Sequence, residues 1–194
     1  MIKLLKYGNT NTYYIGGDEG LLIDTDYAGT LPAFFREIKE KNIGIKNIKY
    51  VIATHYHPDH VGLISELMKL GVKLILITTQ ESFIYYPDEI FSRTPHLKYK
   101  PINKNLATLI SPKESRAFLK KLDIDGEIFT TASHSDDGIA IVLDSGECFI
   151  GDVEPLAYLE AYEEKQSLAS DWEKILSFNP KVIYHSHYNE KRLK

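Results

Sequence analysis

The run Thr54-His55-Tyr56-His57-Pro58-Asp59-His60 restricts this chain more than any other, because it crowds three imidazoles and a carboxylate into six positions. Each of those groups is a ligand type for a borderline divalent metal such as zinc. The residues before it, Ile48-Lys49-Tyr50-Val51-Ile52-Ala53, are β-branched and aromatic and read as a buried strand. Gly62 and the spacing of Leu63, Leu67 and Leu70 predict a helix after it. The run therefore falls in a strand-to-helix loop, where open α/β sheets bind their ligands. Pro58 disfavours helical dihedrals at His57, and two residues apart in an extended segment His55 and His57 can share one metal. Asp59 and His60 come after the bend and can face a second. A plain helix cap would explain Asp59 alone.

Around this loop the pattern opens all-β and then alternates. Strands are expected at 2–7, 12–16 and 20–24, separated by the turns Gly8-Asn9-Thr10-Asn11 and Gly17-Asp18-Glu19-Gly20. Asp24 and Asp26 close the third strand, either as support behind a metal site or as turn residues. Leu31, Phe34, Phe35 and Ile38 recur at helical spacing, and 72–77 is another buried strand. Residues 79–111 break the rhythm with Tyr85, Tyr86, Tyr99 and three lysines (98, 100 and 104), which suits a lid or binding loop. His96 sits there alone and is expected to be exposed. A helix from Pro112 with Ser111 as its cap follows. Strands at 127–132, 139–143 and 148–150 come next, with a turn at Asp144-Ser145-Gly146. Residues 155–178 read as helical with a break near Gln166 and Ser167, the second part capped by Asp171 or Ser170 and packed through Trp172, Ile175 and Leu176. Residues 181–184 form the closing strand.

At 194 residues the chain suits one domain over 1–194. The net charge of −4 gives no basic footprint for nucleic acid. The single Cys148 cannot form an internal disulfide and is expected to be buried and inert. No signal-peptide pattern opens the chain, and no stretch reaches the ~18 apolar residues of a membrane span. A cytoplasmic protein with a small-molecule substrate and neither membrane nor nucleic-acid partner is the expectation. A homodimer through Phe34 and Phe35 or through the Tyr-rich loop stays open.

Three other places carry metal-competent side chains, each at the C-terminal end of an expected strand. His134 follows 127–132, Asp152 follows Ile150 and Gly151, and His185 and His187 follow Tyr184. Alone, each is an unremarkable loop residue. Together with the central run they place six of the seven histidines at strand ends.

With these residues in order, THYHPDH resembles the HxHxDH signature of the metallo-β-lactamase-fold hydrolase superfamily. TASHSDD is similar to its third-motif histidine segment, FIGD to its bridging aspartate, and IYHSHY to its last histidine motif. The opening strands ending LLIDT also fit. The resemblance implies a four-layer αβ/βα sandwich. It implies one metal held by His55, His57 and His134, and a second held by Asp59, His60 and His187, with Asp152 bridging. His187 is preferred to His185 because His185 and Ser186 then align with the family's usual Pro-Gly pair. Asp26 stands where the family has glycine, Leu63 replaces a second glycine, and Asp136 and Asp137 follow His134.

The implied cofactors are two divalent ions, zinc first, with iron or manganese as alternatives. They would lower the pKa of a water to about 7, with Asp59 orienting this nucleophile. The implied activity is hydrolysis of a small ester, thioester or lactone. The alternatives are a phosphodiesterase or nuclease of the same fold, for which Lys98, Lys100 and Lys104 are the one hint, an iron-dependent oxidoreductase, and a non-catalytic metal-binding protein.

Overall fold

The computed structural model describes residues 1–16, 19–161, 163 and 165–193. Gly17 and Asp18 of the expected second turn, and Tyr162 and Glu164 of the 155–178 segment, lie outside the described residues. The chain forms two compact units, Met1–Ser111 and Pro112–Lys194.

In the first unit, β1 (Ile2–Leu5), β2 (Thr12–Ile15) and β3 (Gly20–Ile23) pair antiparallel. Then β4 (Ile48–Ile52), β5 (Lys73–Ile77) and β6 (Thr108–Ile110) add in parallel, giving the sheet order β1-β2-β3-β4-β5-β6. Parallel neighbours need crossovers; α1 (Leu31–Glu40) makes one, and α2 (Pro58–Val61) with α3 (Ile64–Lys69) makes the next. Leu22, Val51, Leu74 and Leu76 point to one face and share a buried cluster with Phe34 and Ile38 of α1 and Ile64 and Leu67 of α3. Leu21, Ile23, Ile52, Ile75 and Ile77 alternate with them and are buried too. Burial on both faces is why these strands read as unbroken apolar runs.

Residues 79–111 are more ordered than expected. They hold α4 (Tyr86–Ser92) as well as β6. Pro87 lies in the first turn of α4 and is buried, where its fixed φ suits a helix start. His96 is exposed in a 3-10 turn, as expected. Phe34 is fully buried, which removes it from any dimer surface, while Phe35 remains 37% exposed.

In the second unit the sheet order is β11-β10-β9-β8-β7. The strands β7 (Gly126–Thr130), β8 (Ile139–Leu143) and β9 (Glu147–Phe149) are antiparallel. β10 (Val182–Tyr184) runs parallel to β9, and β11 (Lys191–Arg192), which the sequence did not announce, covers its edge. Gly146 makes the β8–β9 turn at φ +107°, a conformation that favours glycine. The helix expected from Pro112 starts as a 3-10 turn, Pro112–Glu114, and becomes α5 (Ser115–Lys120).

The expected break at Gln166 and Ser167 is not there. A 3-10 stretch, Leu156–Ala161, precedes α6 (Lys165–Ser177), which runs through both residues. Ser170 and Asp171 are therefore inside α6 and cap nothing. Its buried face is Leu168, Asp171, Trp172 and Ile175, with Leu176 turned out at 40% exposure. Among the described residues, no helix is long and apolar enough to cross a membrane.

Candidate metal centre

Each unit carries part of the ligand set, always past the C-terminal end of a strand. In the first unit, the backbone leaves β4 at Ile52 and reaches His57 extended, at φ −74° and ψ 152°; Pro58 then starts the single turn α2. That bend brings the His55 ring within 4.4 Å of the His57 ring and 4.0 Å of the His60 ring, centroid to centroid. The Asp59 carboxylate lies 3.9 Å from His60 Nε2. All four predicted residues of this unit are thus gathered.

The support behind them comes from Asp24, which the sequence left open between two roles. Its carboxylate accepts the Thr54 N–H at 2.7 Å and the Thr54 hydroxyl at 2.9 Å, and it stands 3.0 Å from His60 Nδ1. The Thr54 oxygen is 3.2 Å from His55 Nδ1. Since the hydroxyl proton is committed to Asp24, the network assigns the Nδ1 proton of both rings to these contacts and makes Nε2 the lone-pair nitrogen of each. Asp24 reaches this position at φ +59°, a left-handed conformation that Asp tolerates better than most residues. Gln80 donates to the carbonyls of Ala53 at 3.0 Å and Thr54 at 3.3 Å, fixing the start of the loop.

Asp26, the departure from the family's glycine, is buried as well. It accepts the N–H groups of Thr10 at 3.0 Å and Tyr27 at 2.7 Å. Burial, with the carboxylates of Asp59 and Asp26, pushes the Tyr27 phenol up. The Tyr86 ring lies 5.7 Å from the His57 ring and is half exposed, and its hydroxyl makes no hydrogen bond among the described residues. Tyr99 is committed elsewhere: its hydroxyl donates to Asp88 at 3.0 Å and its ring stacks on Phe91.

In the second unit, His134 follows β7, Asp152 follows β9 and His187 follows β10. The Asp152 Oδ2 atom is 3.6 Å from His134 Nε2 and 3.3 Å from His187 Nε2, so one carboxylate joins the two imidazoles. Two backbone bonds hold the β9 and β10 ends in step, Ile150 N–H to Tyr184 at 3.0 Å and Ser186 N–H to Gly151 at 3.0 Å. His185 packs instead near Trp172 and Tyr188 and is 3% exposed. Burial pushes it down to about 4, the behaviour of a neutral packed imidazole.

The donor set suits a divalent transition metal. It is built of imidazole nitrogens with carboxylate oxygens and contains no thiolate, since Cys148 lies buried within β9 with its thiol pushed up to about 12 by burial. Two buried imidazoles with rings 4.0 Å apart would repel if both were protonated, so as neutral rings they offer lone pairs to a cation. Missing from the sequence reading were Thr54, Gln80 and the role of Asp171, which is buried inside α6. A threonine directly before the first histidine was the available signal for Thr54.

The family model described as the metallo-beta-lactamase superfamily matches residues 5–187. Among solved structures, a metallo-beta-lactamase family protein from Thermus thermophilus superposes with a TM-score of 0.74 at 20% identity, covering 98% of this chain and 74% of that one. This likeness gives the fold, an α/β sandwich of the metallo-β-lactamase type. A Methanocaldococcus jannaschii protein named "Probable metallo-hydrolase" is 43% identical over 63 residues, 32% of this chain and 30% of its own length. The coenzyme F420H(2) oxidase of Methanothermobacter marburgensis is 35% identical over 60 residues, 29% of this chain and 15% of its own. The chain spans less than a third of the curated relatives it matches.

Proposed function

Because the chain belongs to the metallo-β-lactamase superfamily, we propose that it is a metal-dependent hydrolase of a small ester, thioester or lactone. By motif order, His55, His57 and His134 would hold one ion, Asp59, His60 and His187 the other, and Asp152 would serve both. Bound divalent ions would supply Lewis acidity at the scissile carbonyl and lower the pKa of the attacking water. The observation that carries the reading is the buried Asp24–Thr54 network, which ties down Nδ1 of His55 and His60 and leaves Nε2 as the acceptor atom of each.

The chain's own part in the reaction is orientation and proton handling. Asp59, 17% exposed at its side chain, would orient the attacking water through a carboxylate oxygen, take up its proton and return it to the oxygen or sulfur of the departing alcohol or thiol. The Tyr86 hydroxyl, carried on a ring 5.7 Å from that of His57 and uncommitted among the described residues, would donate to the substrate carbonyl oxygen. Asp24 holds His60 in one tautomer throughout. A cytoplasmic setting and a small substrate, with no nucleic-acid partner, complete the proposal. The phosphodiesterase alternative loses part of its one hint, because Lys104 is paired with Glu81 at 2.6 Å.

Assays of esters, thioesters, lactones and phosphodiesters before and after chelation test this. Turnover of a carboxylic substrate that disappears on chelation and returns with zinc or manganese is the expected result. Activity that survives chelation overturns it. The likeness to the F420H(2) oxidase favours a second reading, redox chemistry at the same ligands, for which the sequence resemblance offers iron as an alternative metal. Iron in the purified protein together with oxygen uptake, and no hydrolysis, would select that reading.

A further inference from the structure

We propose that Asp171 is the positioning residue of the His134 loop and that α6 anchors the loops of two ligands in its unit. This rests on the metal-centre reading above. Aspartates in the middle of a helix ordinarily face water. Asp171 is 7% exposed, and its carboxylate accepts the Ala132 N–H at 3.2 and 2.9 Å and the Ser133 N–H at 2.8 Å. These are the N–H groups of the two residues immediately before His134. A carboxylate out of water is costly unless donors satisfy it, and N–H donors to an ionised carboxylate make the stronger, shorter class of hydrogen bond. Holding both peptides sets the direction in which the chain arrives at His134.

The neighbouring residues of α6 act on adjoining segments. Trp172 donates its Nε1–H to the Glu154 carbonyl at 2.8 Å, two residues past Asp152. Lys174 donates to the Thr130 carbonyl, the last residue of β7, at 3.1 Å. The strands β7 and β9 end at Thr130 and Phe149, and the backbone bonds past them reach Thr131 on one side and Ile150 and Gly151 on the other, short of the ligands themselves. Asp171 and Trp172 thus add side-chain partners past the ends of β7 and β9, and Lys174 adds one at the last residue of β7. The loop 131–138 also closes on itself, Thr131 N–H to Gly138 and Gly138 N–H to Ser135, both at 2.9 Å. The carboxylate thus grips a formed loop and orients it as a body.

The test is a cycle of D171N, H134A and the double variant, with zinc affinity measured by competition against a chromophoric chelator. Amide exchange at Ala132 and Ser133 is followed in parallel. D171N should weaken zinc binding by about tenfold or more, speed exchange at both amides, and cost nothing further in the H134A background. D171E, which keeps the charge but displaces it, should show the same pattern more weakly and serves if D171N does not fold. Zinc affinity unchanged in D171N, or an equal loss with and without His134, overturns the proposal, because the residue would then act only through general stability. Wild-type protein that takes up no zinc overturns the metal centre instead. The exchange data tell the two failures apart: equal protection of Ala132 and Ser133 in wild type and D171N means that the carboxylate anchors nothing.

Discussion

His60 Nδ1 lies 3.0 Å from Asp24 Oδ2, with both side chains sealed from solvent. The contact fixes which nitrogen of His60 carries the proton and which one is offered to a metal. It also joins the LLIDT strand end to the THYHPDH loop, so two distant pieces of sequence act as one element.

Asp24→Asn tests that contact. The amide can still accept the Thr54 N–H, but its NH2 group then opposes the donors of His60 and the Thr54 hydroxyl. The variant should lose about 10- to 100-fold in metal affinity and about 2 kcal/mol of stability. Zinc competition and urea unfolding of the metal-free protein measure the two effects separately. An unchanged affinity would mean that His60 needs no orienting partner.

Gly62→Ala should destabilise the protein by about 1–3 kcal/mol through steric contact alone. The Gly62 backbone is helical, φ −58° and ψ −25°, and would suit alanine. A Cβ there would run into the backbone of Asp26, Tyr27 and Ala28. Thermal unfolding of the metal-free variant reads this, and an unchanged midpoint would contradict the close approach.

His185 and His187 should separate cleanly. His187→Ala should lower metal content, since His187 stands beside Asp152. His185→Leu should keep the metal, because that ring is packed near Trp172 and Tyr188. Elemental analysis of both variants decides which imidazole is the last ligand.

Most of the first unit was legible because its strands are apolar on both faces and its helices have a clear apolar stripe, as at Phe34 and Ile38. The ligand-bearing loops were legible because each follows such a strand. What stayed hidden was fixed by tertiary contact. β6 is three residues long and owes its strand character to pairing with β5, and α4 is seven residues long with Pro87 in its first turn. Asp171 had the local signature of a helix cap, and only the fold brings the Ala132 and Ser133 amides to it. Asp24 was visible as an acid at a strand end, but its partner lies 36 positions along the chain.

The most direct test of the account is the metal content of the purified protein, for wild type and for His57→Ala and Asp152→Ala. About two divalent ions per chain, falling in both folded variants, is the predicted result. Folded wild-type protein that holds no metal after purification or after reconstitution, with both variants indistinguishable from it, would contradict the central claim.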